Sequence, residues 1–287
     1  MEKMNVYVAE SLSEALKIKA ETGAKVLAGG TDLMVQYRTA PCLNPDMPFP
    51  VLIISNLDEM KGIRKEDDGT IVIGALSTPA EIASSPLVPY HVRMAASRMG
   101  APALRNSATI GGNIANASPK GDLPQPLILL DASLVLVSQD GEHQMPVDEF
   151  ITGSKKTKLK ENEIIKEIRI PEVKANYLMY RKIGTRRANA ISKLSLSVLA
   201  LVEDGVIKDF RASSGAAGPK VRRSREVESI LIGKKRDELD SVLPQFLTKY
   251  DSILSPHAMP EYRRNTTRRM LIYFIEKIKQ SDECGVV

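Results

Sequence analysis

The sequence predicts an α+β protein in two parts, on three observations. A short apolar run, a glycine pair and a helical stretch follow one another across Lys25 to Tyr37. Strand and helix patterns then alternate as far as Pro171. A sharp antiparallel hairpin signal at Glu203-Asp-Gly205 finally precedes a run of helical periodicity. A chain of 287 residues can bury a substantial apolar core in two moderate domains. The expected division is 1–173 for the first, with subdomains of about 1–57 and 58–173, and 174–287 for the second.

Each element has a local reason. Ser11-Leu-Ser-Glu14 has the form of a capping box, and Leu12, Ala15, Leu16 and Lys19 recur at helical spacing up to Gly23. Lys25-Val-Leu-Ala28 reads as a short strand that breaks into Gly29-Gly30-Thr31-Asp32 and a second helix over Leu33 to Tyr37. Val51 to Ile54 and Ile71 to Ile73 read as strands, the latter entered through Asp67-Asp-Gly69, and a helix follows from about Pro79 to Ala83. Val92, Ala95, Ala96 and Met99 mark one helix face, which Gly100 and Pro102 should end, leaving a loop over Arg105 to Asp122. A helix around Pro124 to Leu130 and the strand Leu134 to Val137 come next. After the turn Asp140-Gly141, a strand over Glu163 to Ile170 is closed by Pro171. In the second part, Ile191 to Val202 and Val206 to Arg211 flank the hairpin turn. Three helices are expected over about Arg222 to Leu231, Asp237 to Lys249 and Glu261 to Ile278.

Composition narrows the chemistry. Apolar residues at 43% and charged residues at 26% are those of an ordinary globular protein. No apolar run approaches the ~20 residues of a membrane span, and Met1 to Glu10 lacks the pattern of a signal peptide, so a cytoplasmic location is expected. Two cysteines, Cys42 and Cys284, exclude a disulfide framework and are too few for an iron–sulfur cluster held by this chain alone. His91, His143 and His257 are isolated, so no metal site is expected. The net charge of +5 comes from dispersed residues and from clusters at Lys155 to Lys160, Arg222 to Arg225 and Arg263 to Arg269, each read as a solvated face. Aromatics at 5% and the absence of Trp argue against nucleic-acid binding.

Two segments carry a chemical signal. A glycine pair directly after a buried strand lets backbone approach a ligand closely, and exposed amides at the start of a helix favour a phosphate; Gly29-Gly30-Thr31 has that form. The same form is an ordinary tight turn, and its spacing is neither the dinucleotide fingerprint nor a P-loop. Thr109-Ile-Gly-Gly-Asn113 repeats the device with a hydroxyl and an amide alongside. Asp122 nearby could accept hydrogen bonds from a ribose or an adenine amine, or act simply as a turn residue.

Together, Leu27-Ala-Gly-Gly-Thr-Asp32, Thr109-Ile-Gly-Gly-Asn113 and Ser118-Pro-Lys-Gly-Asp122 resemble the FAD-binding subunits of the molybdenum hydroxylases, such as xanthine, nicotinate and carbon monoxide dehydrogenases. The resemblance continues through Tyr180-Arg-Lys-Ile-Gly-Thr-Arg-Arg187 into a C-terminal domain like that of those flavoproteins. It implies an FAD-binding domain of the vanillyl-alcohol oxidase and molybdenum hydroxylase type, made of two α/β subdomains, then a small α+β domain with an antiparallel sheet and helices. It implies that Lys25, Val26, Leu27, Ala28, Gly29, Gly30, Thr31 and Asp32 wrap the FAD pyrophosphate. Thr109, Ile110, Gly111, Gly112 and Asn113 would contact phosphate and ribose, and Asp122 would reach the adenosine portion. By position in the motifs Ile164 would line the cofactor cleft, Lys182 would contact the flavin end, and Met99 would approach the adenine; plain core packing is the other reading of Ile164 and Met99.

Arg186 and Arg187 match a paired basic position in that family, but Ala188-Asn-Ala190 stands where relatives often carry acidic residues, so the flavin's electrostatic surroundings are open. The cysteines of the cluster-binding insertion of hydroxybenzoyl-CoA reductases are missing. What the resemblance implies for function is an electron-relaying flavoprotein subunit. Electrons would come from iron–sulfur clusters of a small partner subunit and pass to FAD and then to NAD or another acceptor, while a molybdopterin-binding large subunit oxidises a purine or related N-heterocycle. No acid, base or nucleophile is expected here, since the chain's task is to hold and tune the cofactor. Two rivals stand beside this reading: a free-standing FAD oxidoreductase with its own substrate chemistry, and a flavin-free assembly factor that keeps the fold.

Overall fold

The computed structural model describes residues 5–40, 45–280 and 285–286; Cys42 and Cys284 lie outside these. The chain opens with β1 (Val6–Val8), α1 (Leu12–Thr22), β2 (Lys25–Leu27), α2 (Leu33–Gln36) and β3 (Val51–Ile53), and the strands pair in parallel in the order β1-β3-β2. Helix α1 forms because Ser11 Oγ accepts the Glu14 N–H at 3.1 Å and because Leu12, Ala15 and Leu16 fall on one buried face. Glu14 reaches back to the Glu10 amide at 2.7 Å, one residue before the cap. The helix stops at Gly23, whose φ of 64° is left-handed and whose amide bonds Lys19 O.

A second layer follows: β4 (Ile63–Lys65), β5 (Ile71–Gly74), α3 (Pro79–Ser84), α4 (Tyr90–Ser97), α5 (Pro102–Ser107), α6 (Ile110–Ala115), α7 (Pro124–Leu129), β6 (Ser133–Ser138), β7 (Gly141–Pro146), α8 (Val147–Phe150), β8 (Ile151–Gly153), β9 (Lys156–Thr157) and β10 (Ile164–Ile170). Five of these strands make one antiparallel sheet in the order β4-β5-β10-β6-β7, and β8 and β9 form a small hairpin of their own. Both sheets of this first half feed one core through Leu52, Ile73, Leu134, Leu136, Ile168 and their neighbours.

The expected loop over Arg105 to Asp122 is a correction, for it contains the end of α5 and the whole of α6. Pro102, read as a terminator, instead opens α5 at its first turn, where a proline loses no hydrogen bond. Thr109 caps α6 by accepting the Gly112 N–H at 3.2 Å, and Ile110 and Ile114, one turn apart, are buried. Two glycines in six residues disfavour a helix by propensity; burial of those isoleucines overrides it.

The second half contains β11 (Tyr177–Ile183), β12 (Leu194–Glu203), β13 (Val206–Gly215), α9 (Arg225–Glu228), α10 (Leu239–Ile253), α11 (Pro260–Gln280) and β14 (Gly285–Val286), with sheet order β13-β12-β11-β14. The hairpin turns through Asp204 and Gly205, both at positive φ (51° and 72°), as a two-residue primed turn requires. Phe210, Phe246 and Phe274 meet edge to face, with centroids 5.4 and 6.1 Å apart, and pin α10 and α11 to one face of the sheet. The opposite face packs on α4 and α7 of the first half, where Tyr180 and Leu199 join the first core. The helix expected over Arg222 to Leu231 shrinks to the single turn α9. Arg222 exchanges both backbone hydrogen bonds with Ser214 (2.8 and 2.9 Å), and the Ser224 hydroxyl caps only the short turn beginning at Arg225.

Two arginine clusters read as solvated faces are partly internal. Arg223, 7% exposed, donates to Ile128 O, Leu129 O, Asp131 and Glu228, and so ties α7 to the second half. Arg263, also buried, donates to Ala216 O. Burial of Arg223 is tolerated because its guanidinium finds carbonyl and carboxylate acceptors. Among the described residues no helix is long and apolar enough to cross a membrane.

Candidate functional site

The two glycine segments, some eighty residues apart in sequence, lie side by side. A Cβ at position 29 would stand 1.9 Å from Ser107 O and 3.0 Å from Ala108 Cα, so only glycine allows the first segment to press against the residues that lead into Thr109. Gly30 takes φ +66° and turns the chain into α2. Gly111 approaches Ala75 as closely: its amide bonds Ala75 O at 2.9 Å, and a Cβ would lie 2.8 Å from that of Ala75. Gly112 is exposed, leaving its backbone uncovered on the outer side of α6. The result is two adjoining stretches of side-chain-free backbone, with the Thr109 hydroxyl at the head of one.

The flanking residues divide. Val26, Leu27, Ala28 and Thr31 are half-buried, and the exposed Lys25 sets its ammonium 4.4 Å from the centre of the Phe49 ring. Asn113 turns inward, its Oδ1 accepting the Leu123 N–H at 3.4 Å, which steadies the chain beside Asp122. Ile164 lies opposite Val137 at the start of β10, only 3% exposed, and Met99 is similarly enclosed; both pack in the first core.

Asp122 and Lys182, expected toward opposite ends of the cofactor, form one ion pair across the two halves of the chain. Lys182 Nζ stands 2.8 Å from Asp122 Oδ2 and donates to Arg98 O at 3.0 Å, while Ser192 Oγ donates to Asp122 Oδ1 at 2.9 Å. Burial pushes the Asp122 carboxyl above its ordinary value, and the ammonium and the Ser192 hydroxyl pull against it. Close by, Arg98 lies over the Tyr180 ring, whose buried hydroxyl has no hydrogen-bond partner among the described residues. Arg186 closes its own loop by donating twice to Asn189 O, while Arg187 is exposed.

Ser192 and Lys155 were not singled out by the sequence. Ser192 carries no signal that separates it from other serines. Lys155, placed with the solvated lysines, instead stands 3.3 Å from Asp32 Oδ2 and donates to Asn116 Oδ1. Two recesses lie outside the glycine segments. One of about 120 Å³ is beside Arg223, and one of about 250 Å³ between Met179 and Tyr273 reaches the site only at Lys182.

Comparison with known proteins shows the family of this chain. Residues 2–173 match the model of the FAD binding domain in molybdopterin dehydrogenase, and residues 179–278 that of the CO dehydrogenase flavoprotein C-terminal domain. The chain therefore belongs to the FAD-binding medium subunits of the xanthine, nicotinate and carbon monoxide dehydrogenase family, and is a flavoprotein subunit of an oxidoreductase with FAD as its cofactor. It is 31% identical to the glyceraldehyde dehydrogenase medium chain of Sulfolobus acidocaldarius, over 86% of this chain and 87% of that one. It is likewise 31% identical to the nicotinate dehydrogenase FAD-subunit of Eubacterium barkeri, over 85% of each. Among solved structures, the carbon monoxide dehydrogenase of Hydrogenophaga pseudoflava superposes with a TM-score of 0.84 at 26% identity, over 99% of both chains.

The residues present fit that cofactor. Close approach of backbone to a pyrophosphate needs stretches free of Cβ atoms, and the two adjoining glycine segments supply such backbone.

Proposed function

We propose that this chain holds FAD along its two adjoined glycine segments and serves as the electron relay of a heteromeric molybdenum hydroxylase. The supporting observation is the convergence of Gly29-Gly30 with Thr109 to Asn113, which no tight-turn reading requires, because a turn alone does not need Gly29 pressed on Ser107 O. FAD, when bound, supplies the redox chemistry that links the iron–sulfur clusters of a small partner subunit to NAD or another acceptor. Substrate, a purine or related N-heterocycle, is oxidised on a molybdopterin-binding large subunit. The chain works in the cytoplasm as 1–173 for the cofactor and 174–287 as the closing domain.

The residues' own tasks derive from their placement. The backbone of Lys25 to Asp32 and of Thr109 to Asn113 lies along the pyrophosphate and ribose, with the Thr109 hydroxyl and the Gly29 and Gly30 amides as donors. Asp122 and Lys182, linked across the halves, hold the second half closed over the cofactor. Ile164 acts as part of the wall behind it. No side chain here transfers a proton to substrate.

The test is the visible absorption spectrum of the purified chain, with released cofactor identified by mass, for the wild type and for Gly30→Val and Gly112→Val. Bound FAD in the wild type and its loss in the variants supports the two-segment grip. A colourless protein that cannot be reconstituted with FAD favours the flavin-free assembly role. Oxidation of a purine by this chain alone would overturn the relay reading. Reoxidation of the reduced assembled complex by NAD identifies the acceptor; failure of NAD while another acceptor works moves that role away from NAD.

A further inference from the structure

Asp32 sets an electrostatic problem for the first glycine segment. Its half-exposed carboxylate stands two residues past Gly30, and a fixed negative charge there repels an anionic pyrophosphate lying on the same backbone. The counter-charge comes from far along the chain. Lys155 Nζ stands 3.3 Å from Asp32 Oδ2 and also donates to Asn116 Oδ1, just past α6, so its ammonium links the ends of both glycine segments. The backbone of Lys155 is held as well: its N–H donates to Ala117 O at 2.9 Å, and its φ of 58° is a left-handed conformation that lysine rarely takes. The neighbouring lysines of that cluster face elsewhere, Lys158 toward Glu149 and Lys160 toward Glu163.

The turn that joins β8 to β9 accounts for the backbone of Lys155, but an exposed ion pair adds little to stability and gives no reason to place its ammonium between the two segments. We propose that Lys155 neutralises Asp32 so that the paired glycine segments accept the pyrophosphate of FAD. This makes Lys155 a positioning residue for the cofactor, a role that rests on FAD lying along the two segments. With the pair intact, Asp32 and Lys155 together contribute no net charge beside the ligand. Without Lys155 they contribute a negative one.

The test is FAD titration of the apoprotein, followed by flavin fluorescence, at low and high salt for wild type, Lys155→Met, Lys155→Arg, Asp32→Asn and the double variant Lys155→Met/Asp32→Asn. Lys155→Met should weaken FAD binding on the order of 5- to 10-fold at low salt. The loss should shrink at high salt, where repulsion is screened. Lys155→Arg should keep wild-type affinity. The double variant should recover to within about 2-fold of wild type, because removing the carboxylate removes the repulsion. Wild-type affinity in Lys155→Met, or a double variant as weak as the single one, overturns the proposal. Absence of FAD binding by the wild type overturns the flavin grip itself, a separately readable result.

Discussion

Acid should loosen the seam between the two halves through one side chain, His91. The ring lies on α4, 1% exposed, with Nε2 2.9 Å from Val198 O on β12, so it is part of the contact that joins the helices of the first half to the second sheet. Burial drives its pKa down to about 4, against the smaller upward pull of the Val198 and Met179 carbonyls. The unfolded chain takes up its proton near the ordinary value of 6.5, whereas the folded chain does so only near 4. The stabilisation from a neutral His91 is therefore complete above about pH 6.5 and is lost as the pH falls toward 4. The span of 6.5 − 4, or 2.5 units, at about 1.4 kcal/mol per unit, is worth roughly 3 kcal/mol. Urea unfolding of wild type and His91→Gln at intervals from pH 7.5 to 4 measures it. Glutamine does not titrate, so the wild type should lose about 3 kcal/mol relative to the variant across that range. Parallel curves for the two proteins would refute the reasoning.

Other contacts give further expected outcomes. Arg223→Met leaves the buried Glu228 without its cation, while Asp131 keeps Arg211 and Arg225, and should cost about 3–5 kcal/mol in urea unfolding; a loss under about 1 kcal/mol would contradict the tie between α7 and the second half. Lys182→Met strands the Asp122 carboxylate and should cost about 3 kcal/mol, much of it restored by adding Asp122→Asn; equal stability of the single and double variants would show that the pair does not act as a unit. Gly29→Ala forces backbone apart where a Cβ would lie 1.9 Å from Ser107 O, and should abolish retention of FAD through gel filtration; a yellow variant would show that the close approach is dispensable.

The legible part of the fold was the part written in local signals. The cap at Ser11, the left-handed stop at Gly23, the hairpin turn at Asp204-Gly205 and the amphipathic runs of α10 and α11 each depend on residues within a turn or two of one another. The strands β1 and β7 leave no clear trace in the sequence, because short or largely exposed strands carry weak alternation and draw their hydrogen bonds from partners remote in sequence. Within the candidate site, the glycine positions could be read because glycine itself is the signal. The pairing of Asp122 with Lys182 could not, since neither residue type nor spacing states which charge meets which.

By itself, then, the sequence determined the class of protein: two glycine motifs, their flanking residues and the continuing C-terminal pattern suffice for the family, since close backbone approach to a cofactor leaves a residue-level trace. Only the tertiary structure decided that the segment Arg105 to Asp122 holds the helix α6, where buried Ile110 and Ile114 outweigh glycine propensity. It alone decided that Arg223 is internal while Arg225 is exposed, and that Lys155 crosses to Asp32. The reason is physical: a charge has no periodicity to betray its partner, and whether it is solvated, buried or paired depends on distances that exist only once remote segments have packed.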